Sequence, residues 1–425
     1  MLSTPRGVRD FDPARAILVK KAIDATEEVF KRFGFYPLIT PAMETKEVLT
    51  AKAYGEETVK ELFEIAGENS ALRYDLTVPM ARYVAMNKDL PLPFKRYQIG
   101  SSWRKEEPQR MRYREFIQAD VDIVGSTSVE SDAETIAACA LSIDEIGVED
   151  YVILLNSRKL LNAILEMFNV PEEKSADAIR VIDKMQKISG DDLIAQLAEK
   201  GIDNKTGESI LNFIRQDVND DEKMAKLAEN LPNAKEEIEN LKKLVNLVRA
   251  YKIRGSIQID LSLARGIAYY TGFVWEFILV KDGKRLPSVG SGGRYDNLIG
   301  IFSNKKTPAT GSSIGIDRIF DVLGTESLVK TYAKAFVAYI GEENKDYACD
   351  VARELRYAGI YTDLNVADRN LSKQLQYASA LNIKYAVIAG NEERGQNKVK
   401  LRDMLSGQEE LLGLEEAIDK IKKDK

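Results

Sequence analysis

The stretch Lys95–Gly125, KRYQIGSSWRKEEPQRMRYREFIQADVDIVG, decides the fold. It reads as two strands around a charged loop, the first ending at Trp103 and Arg104 and the second running over Tyr113–Val124. In the second strand a period of two sets Gln118, Asp120 and Asp122 on one face and Ile117, Ala119, Val121 and Ile123 on the other. Faces of opposite character mean that one lies on a core and the other lines water or a cleft. On the first strand Arg104 shares a face with Gln98 and Ser102, so simple pairing brings Arg104 and Gln118 into the same space. Between Lys95 and Glu115 stand seven Lys or Arg and three Glu, in a chain whose net charge is −6. That local density of guanidinium groups suits a polyanion such as a nucleotide triphosphate. A solvent-facing strand with ordinary surface charges is the alternative from this segment alone.

Working outward, 425 residues suggest two or three domains, and 44% hydrophobic content is enough for ordinary cores. No run of eighteen apolar residues is found, so no membrane helix is expected, and MLSTPRGVRDFDP has no apolar centre for a signal peptide. Cys139 and Cys349 are expected to be free thiols in a reducing cytoplasm. The chain contains no histidine at all. That excludes a Ser-His-Asp or Cys-His nucleophile, a His-ligated zinc and an imidazole pH switch. Chemistry must therefore run on Arg, Lys, Gln, Tyr, carboxylates and magnesium, with no zinc, haem or nicotinamide cofactor. The segments Gly290–Gly293 and Gly311–Gly315 read as glycine-rich loops. Neither fits GxGxxG or GxxxxGK[ST], so Rossmann and P-loop readings fall away; close backbone approach, a bulge or a plain turn remain.

Asp12-Pro13 opens a helix that Gly34 closes. Tyr36–Thr40 is expected as a strand, 44–53 as a helix, Leu62–Ile65 and Ser70–Tyr74 as paired strands, and Leu76–Met86 as a helix. Ser131–Ile146 is an amphipathic helix, and Tyr151–Leu155 a buried strand that passes through Asn156-Ser157 into another helix. From Val170 to about Arg249 strand signal is nearly absent, which implies an all-helical insertion or a set of solvated surface helices. Strands return at Ser256–Ala264 and 268–280, with a turn at Lys281-Asp282-Gly283-Lys284. From Ala335 a βαβα pattern implies a small, mostly parallel α/β domain.

These pieces match a family in order and spacing over nearly the whole chain. The sequence resembles the class II aminoacyl-tRNA synthetases and, within them, the histidyl-tRNA synthetases. Tyr36-Pro-Leu-Ile-Thr-Pro41 is similar to motif 1, and Leu72-Arg-Tyr-Asp-Leu-Thr77 to the archaeal and eukaryotic kind of histidyl enzyme. Trp103-Arg-Lys-Glu106 with Arg112–Gln118 resembles motif 2, and Gly311–Arg318 resembles motif 3. Leu263–Gly272 and Gly292–Asp296 resemble the two histidine signatures. Ala268 departs from the family's frequent Asp, Asp122 from the Glu of many bacterial members, and Lys105 and Ile117 from positions where histidine is common there.

The resemblance implies an α+β chain: an antiparallel catalytic core (residues 1–168 and 253–330), a helical insertion (169–252) and an anticodon-binding α/β domain (331–425). It implies a homodimer in the cytoplasm that joins L-histidine to tRNA(His), using ATP with Mg²⁺ as the energy source. Arg104, Gln118 and Arg265 are the implied catalytic residues. Asp75, Thr77, Arg104, Gln118, Asp122, Arg265, Tyr269, Tyr270 and Tyr295 are expected at histidine, and Arg104, Glu106, Arg112 and Arg318 at ATP. A non-catalytic paralogue, either a regulatory subunit of ATP phosphoribosyltransferase or a tRNA sensor, is the alternative, and a class II enzyme for another amino acid a third reading.

Overall fold

The computed structural model describes residues 2–51, 59–109, 111–215, 218–264, 269–303, 305–324 and 329–424. Two units separate, one of Met1–Asp10 with Lys21–Thr325 and one of Phe11–Lys20 with Glu326–Lys425.

The strands of the larger unit are β1 (Tyr36–Pro37), β2 (Met43–Thr45), β3 (Ser70–Leu72), β4 (Phe94–Trp103), β5 (Glu115–Val124), β6 (Tyr151–Ser157), β7 (Ser256–Ile259), β8 (Phe273–Lys281), β9 (Lys284–Arg294) and β10 (Ala309–Gly315). Eight of them form one sheet in the order β1-β4-β5-β10-β9-β8-β6-β7. Its five inner pairings are antiparallel, and only the rims β1–β4 and β6–β7 are parallel. The alternation in β5 decides which way the sheet faces. Ala119, Val121 and Ile123 are buried on the core side, where the helix Val129–Ile146 packs over β5 and β10. That helix starts where Ser128 accepts a hydrogen bond from the Glu130 amide and stops at Gly147, whose φ of 95° an L side chain rarely adopts. Gln118, Asp120 and Asp122 take the opposite face.

Between β6 and β7 lie the helices Glu172–Ile182, Gly190–Glu199, Asn204–Ile214, Asp220–Asn230 and Lys235–Ala250, with no strand among the described residues. Each buries one stripe; Leu193, Leu197, Ile210, Leu241 and Leu244 are fully or almost fully enclosed.

The smaller unit carries β11 (Ala335–Tyr339), β12 (Thr362–Leu364), β13 (Tyr385–Ala389), β14 (Lys398–Asp403) and β15 (Glu409–Gly413), in the order β12-β11-β13-β14-β15. The first three are parallel and joined through helices Lys345–Tyr357 and Leu371–Ala380, while β14 and β15 run antiparallel.

Several expected elements differ. The two glycine segments are strands, lying within β9 and β10, because their backbones pair with each other and with β5 and β8. β7 ends at Ile259 rather than Ala264: the Ser262 amide and hydroxyl both turn back to Asp260 Oδ1, which breaks the ladder. β8 begins only at Phe273. The helix expected over 44–53 covers Lys46–Leu49 within the described residues, and β3 pairs with β2, meeting Glu64 in a single bridge.

Candidate active site

The site grows from the row Phe116, Gln118, Asp120, Asp122 on β5. Opposite them, β4 contributes Ser102, Gly100, Gln98 and Arg96, and β10 contributes Gly315, Ser313 and Gly311. The glycines keep this floor low. A Cβ on Gly311 would sit 2.7 Å from Asp122 Cγ and 2.8 Å from Tyr295 Oη, and one on Gly293 would sit 2.6 Å from the Tyr270 ring. Only a backbone without side chains lets Asp122 and the tyrosines approach here.

Two cavities open on this floor. The larger, about 390 Å³, is bounded by Arg104, Glu106, Arg112, Phe116 and Arg318, with Glu276 on the floor. The smaller, about 50 Å³, is enclosed by Asp75, Thr77, Asp120, Asp122 and the tyrosines 269, 270 and 295. Arg104, Gln118, Ser291 and Ser313 border both. A ligand extending from one space into the other must pass these four groups.

Among the described residues Arg104 is held by aromatic faces: its guanidinium carbon lies 4.3 Å from the Tyr74 ring centroid and 4.9 Å from that of Phe116. Tyr74 is in turn anchored by its hydroxyl to Glu61 at 2.9 Å. The base of the motif 2 loop is closed by the Arg104 amide donating to the Arg114 carbonyl at 2.8 Å. Beyond it, Arg112 lies 3.7 Å from Glu106. Gln118 is oriented by donating from Nε2 to Ser313 Oγ at 3.0 Å. Arg9 stacks 3.6 Å over the Tyr113 ring and reaches Asp317 and Asp321, both on the Ile316–Leu323 helix that carries Arg318. Asp317 Oδ1 also accepts the Ile117 amide, which ties that helix to β5.

In the smaller cavity Asp75 Oδ1 accepts the amides of Thr77 and Val78, each at 3.0 Å, starting the helix Thr77–Met86. Asp122 Oδ2 is 2.5 Å from Nη2 of the fully buried Arg96, and its Oδ1 accepts the hydroxyl of Tyr295. The rings of Tyr269, Tyr270 and Tyr295 lie 4.9, 5.6 and 6.4 Å apart pairwise. Tyr295 is fixed by its neighbour: Arg294 is buried and holds Asp132 at 2.7 Å. Burial raises the Asp122 carboxyl above its ordinary range against the pull of Arg96. Burial also pushes Asp120 up to about 7, with Arg96 opposing and Asp122 adding to the rise.

The structure thus brings together Asp75, Thr77, Arg104, Gln118, Asp122, Tyr269, Tyr270 and Tyr295 around the smaller cavity, and Arg104, Glu106, Arg112 and Arg318 around the larger. Arg265 and Ala268 lie outside the described residues. The sequence reading missed Arg9, Glu61, Arg96 and Asp317. Arg96 shares the polar face of β4 with Gln98, so alternation was a signal for it, and Asp317 precedes Arg318 in the first turn of its helix. Among the described residues no group of three or more His, Cys, Asp or Glu is arranged to hold a metal ion.

An antiparallel sheet with an arginine-walled cleft at the base of a motif 2 hairpin, next to a small polar pocket, defines a class II aminoacyl-tRNA synthetase core. The family model for histidyl-tRNA synthetase matches residues 7–319, and that for the anticodon binding domain matches 334–424. The histidine–tRNA ligase of Clostridium tetani is 37% identical, covering 98% of this chain and 97% of its own length. That of Pyrococcus abyssi is 36% identical, covering 99% of each. The crystal structure of histidyl-tRNA synthetase from Nostoc sp. PCC 7120 superposes with a TM-score of 0.87 at 32% identity, covering 100% of this chain and 99% of that one. The chain belongs to the histidyl-tRNA synthetase family.

Proposed function

We propose that this protein is a histidine–tRNA ligase: it activates L-histidine with ATP and passes the histidyl group to the 3′ end of tRNA(His). The observation that carries this reading is the pair of adjoining cavities sharing Arg104 and Gln118. One space is lined by cations suited to phosphates, the other by carboxylates and tyrosines suited to a small cationic amino acid.

The histidine carboxylate attacks the α-phosphorus of ATP, and pyrophosphate leaves. No protein nucleophile is needed, so catalysis is alignment and neutralisation of developing charge. Arg104, held rigid between two rings, forks onto the α-phosphate and the substrate carboxylate at the junction of the cavities. By resemblance to the family, Arg265 is a second cation for the same charge. Arg318 takes the γ-phosphate, Arg112 the remaining phosphates and Glu106 the adenine. Asp75 and Thr77 take the α-amino group with Gln118, and Asp122, Tyr269, Tyr270 and Tyr295 enclose the side chain. Mg²⁺ is a generic requirement of this family, and a carboxylate bordering the larger cavity would help hold it. Glu276, on the floor of the larger cavity, would be that carboxylate, and the ion would supply neutralisation of phosphate charge.

Residues 1–168 and 253–330 form the catalytic core in this reading, 169–252 the insertion and 331–425 the anticodon-binding domain. The motif 1 segment exposes Tyr36 at 66% and Ile39 at 89%, and Met43 just beyond it is exposed at 52%, an apolar strip that supports a homodimer. No described helix is long and apolar enough to cross a membrane, and we place the reaction in the cytoplasm, where tRNA is charged. Retention of Arg104, Arg318 and the anticodon domain supports catalysis over a regulatory role. ATP–pyrophosphate exchange across the twenty amino acids tests the reading. Histidine-dependent exchange is expected; exchange with another amino acid, or none, overturns it.

A further inference from the structure

The larger cavity is not lined by cations alone. Among the described residues five carboxylates border it, those of Glu61, Glu106, Glu276, Asp317 and Asp321, against the guanidinium groups of three arginines. A triphosphate adds several negative charges of its own, so a carboxylate left uncompensated there opposes its binding. Glu61 accepts the Tyr74 hydroxyl, Glu106 lies 3.7 Å from Arg112, and Glu276 is the group suited to Mg²⁺. Asp317 and Asp321 remain, and they flank Arg318 on its own helix.

Arg9 answers both. Its Nη2 donates to Asp317 Oδ2 at 2.9 Å and to Asp321 Oδ2 at 2.6 Å, and its Nη1 donates to Asp321 Oδ1 at 2.9 Å. Its guanidinium carbon lies 3.6 Å from the ring centroid of Tyr113, which borders the cavity, whereas Arg9 itself does not. The side chain of Arg9 is 21% exposed and that of Asp317 only 2%. Asp317 and Asp321 stand one helical turn apart, where two like charges repel unless a shared cation lies between them. Asp321 is also three residues after Arg318, a spacing at which the two can pair on the helix. The second oxygen of Asp317 accepts the Ile117 amide at 3.1 Å, so the group that Arg9 neutralises also fastens the helix to β5.

We infer that Arg9 is a positioning residue of the triphosphate site: by neutralising Asp317 and Asp321 it lets their helix present Arg318 to phosphate as a net cation. It acts through the two carboxylates and does not touch the nucleotide. The inference deepens the ligase reading and rests on it. It makes the N-terminal segment part of the ATP site, although that segment lies some 310 residues from the helix it serves. Once Arg9 is removed, Asp321 is free to compete with the γ-phosphate for Arg318, and both carboxylates repel the incoming nucleotide.

The test measures ATP–pyrophosphate exchange for the unmodified protein, Arg9→Met, Arg9→Lys and the double variant Arg9→Met with Asp321→Asn. Adenosine, which carries no phosphate, serves as a competitive inhibitor against ATP. The inference expects Arg9→Met to raise KM for ATP by about tenfold, while KM for histidine and the inhibition constant of adenosine change by less than about twofold. Removing the Asp321 charge in the double variant should return KM for ATP to within about threefold of the parent value. Arg9→Lys keeps the charge without the fork and should fall between parent and Arg9→Met. A double variant no better than Arg9→Met would make Arg9 a plain anchor or a phosphate ligand and overturn the inference. Equal weakening of ATP and adenosine would show a distorted cavity and overturn it too, as would an unchanged KM for ATP in Arg9→Met. If circular dichroism shows that Arg9→Met does not fold, Arg9→Lys with and without Asp321→Asn carries the same comparison. Absence of histidine-dependent exchange in the unmodified protein would instead defeat the ligase reading itself, and direct binding of ATP against adenosine would still decide the part played by Arg9.

Discussion

Replacing Arg96 by methionine isolates the interaction on which the floor of the amino-acid pocket depends. Arg96 is fully buried, Asp122 is 2% exposed, and their charged atoms lie 2.5 Å apart. Nη2 also donates to the Leu76 carbonyl at 3.0 Å, just before the helix that presents Thr77. Methionine fills much of the same volume but leaves Asp122, 2% exposed, without its cation. Breaking such a pair from one side costs about 3–5 kcal/mol. Against a total of about 5–15 kcal/mol for a folded unit, that is a large share. Adding Asp122→Asn to Arg96→Met removes the orphaned charge, so the double variant should recover at least about 2 kcal/mol of the loss. Urea unfolding followed by far-ultraviolet circular dichroism reads both values. A cost below about 1 kcal/mol for Arg96→Met, the range of an exposed pair, would refute the reasoning, as would a double variant no more stable than the single one.

The Asp120 carboxyl, raised by burial from 3.8 to about 7, keeps its proton in the folded state over a window where the unfolded chain has released it. Stability therefore falls as pH rises from about 4 to 7, by about 4 kcal/mol for this group. Asp120→Asn should flatten that slope and be the more stable protein at pH 8; denaturant midpoints across pH that stay parallel to the parent's would contradict it. Gly311→Ala places a methyl 2.8 Å from Tyr295 Oη. It should raise KM for histidine at least about tenfold by displacing Tyr295 while KM for ATP changes less than twofold, and equal shifts in both would show that the crowding reaches the larger cavity. Since the chain contains no histidine, its own synthesis draws on no histidyl-tRNA. Its production under histidine starvation should exceed that of a variant carrying Lys105→His and Ile117→His, and equal production measured by pulse labelling would leave the absence without consequence.

Period-two alternation made both faces of β5 legible, and with them Gln118 and Asp122, because a strand buried on one side and lining a cleft on the other writes that contrast into adjacent residues. The pairing register was not legible. Arg96 faces Asp122 only because the loop of residues 104–114 sets which residues oppose each other, and a loop of that length fixes no register by composition. The glycine segments failed for a related reason. Glycine weakens a strand taken alone, and only the neighbours Trp275, Tyr270 and Asp122, distant in sequence, explain why nothing larger fits. Arg9 stands in the stretch MLSTPRGVRDFDP, which was read only for its lack of an apolar centre, and carried no role. Its partners Asp317 and Asp321 lie some 310 residues away, beyond the reach of any local pattern.

The chain has two tryptophans, and their surroundings differ. Trp275 lies on the core face of the sheet, fully enclosed, with its indole N–H on Ser312 Oγ at 3.0 Å beneath the glycine floor. Trp103 ends β4 beside Arg104, partly exposed, with the Arg73 guanidinium 5.8 Å from its ring. The enclosed indole emits at short wavelength until the sheet itself opens, whereas the partly exposed indole emits nearer the wavelength of indole in water. Unlabelled protein therefore carries an optical channel of its own: a red shift of the enclosed indole's emission reports loss of the sheet that holds the site.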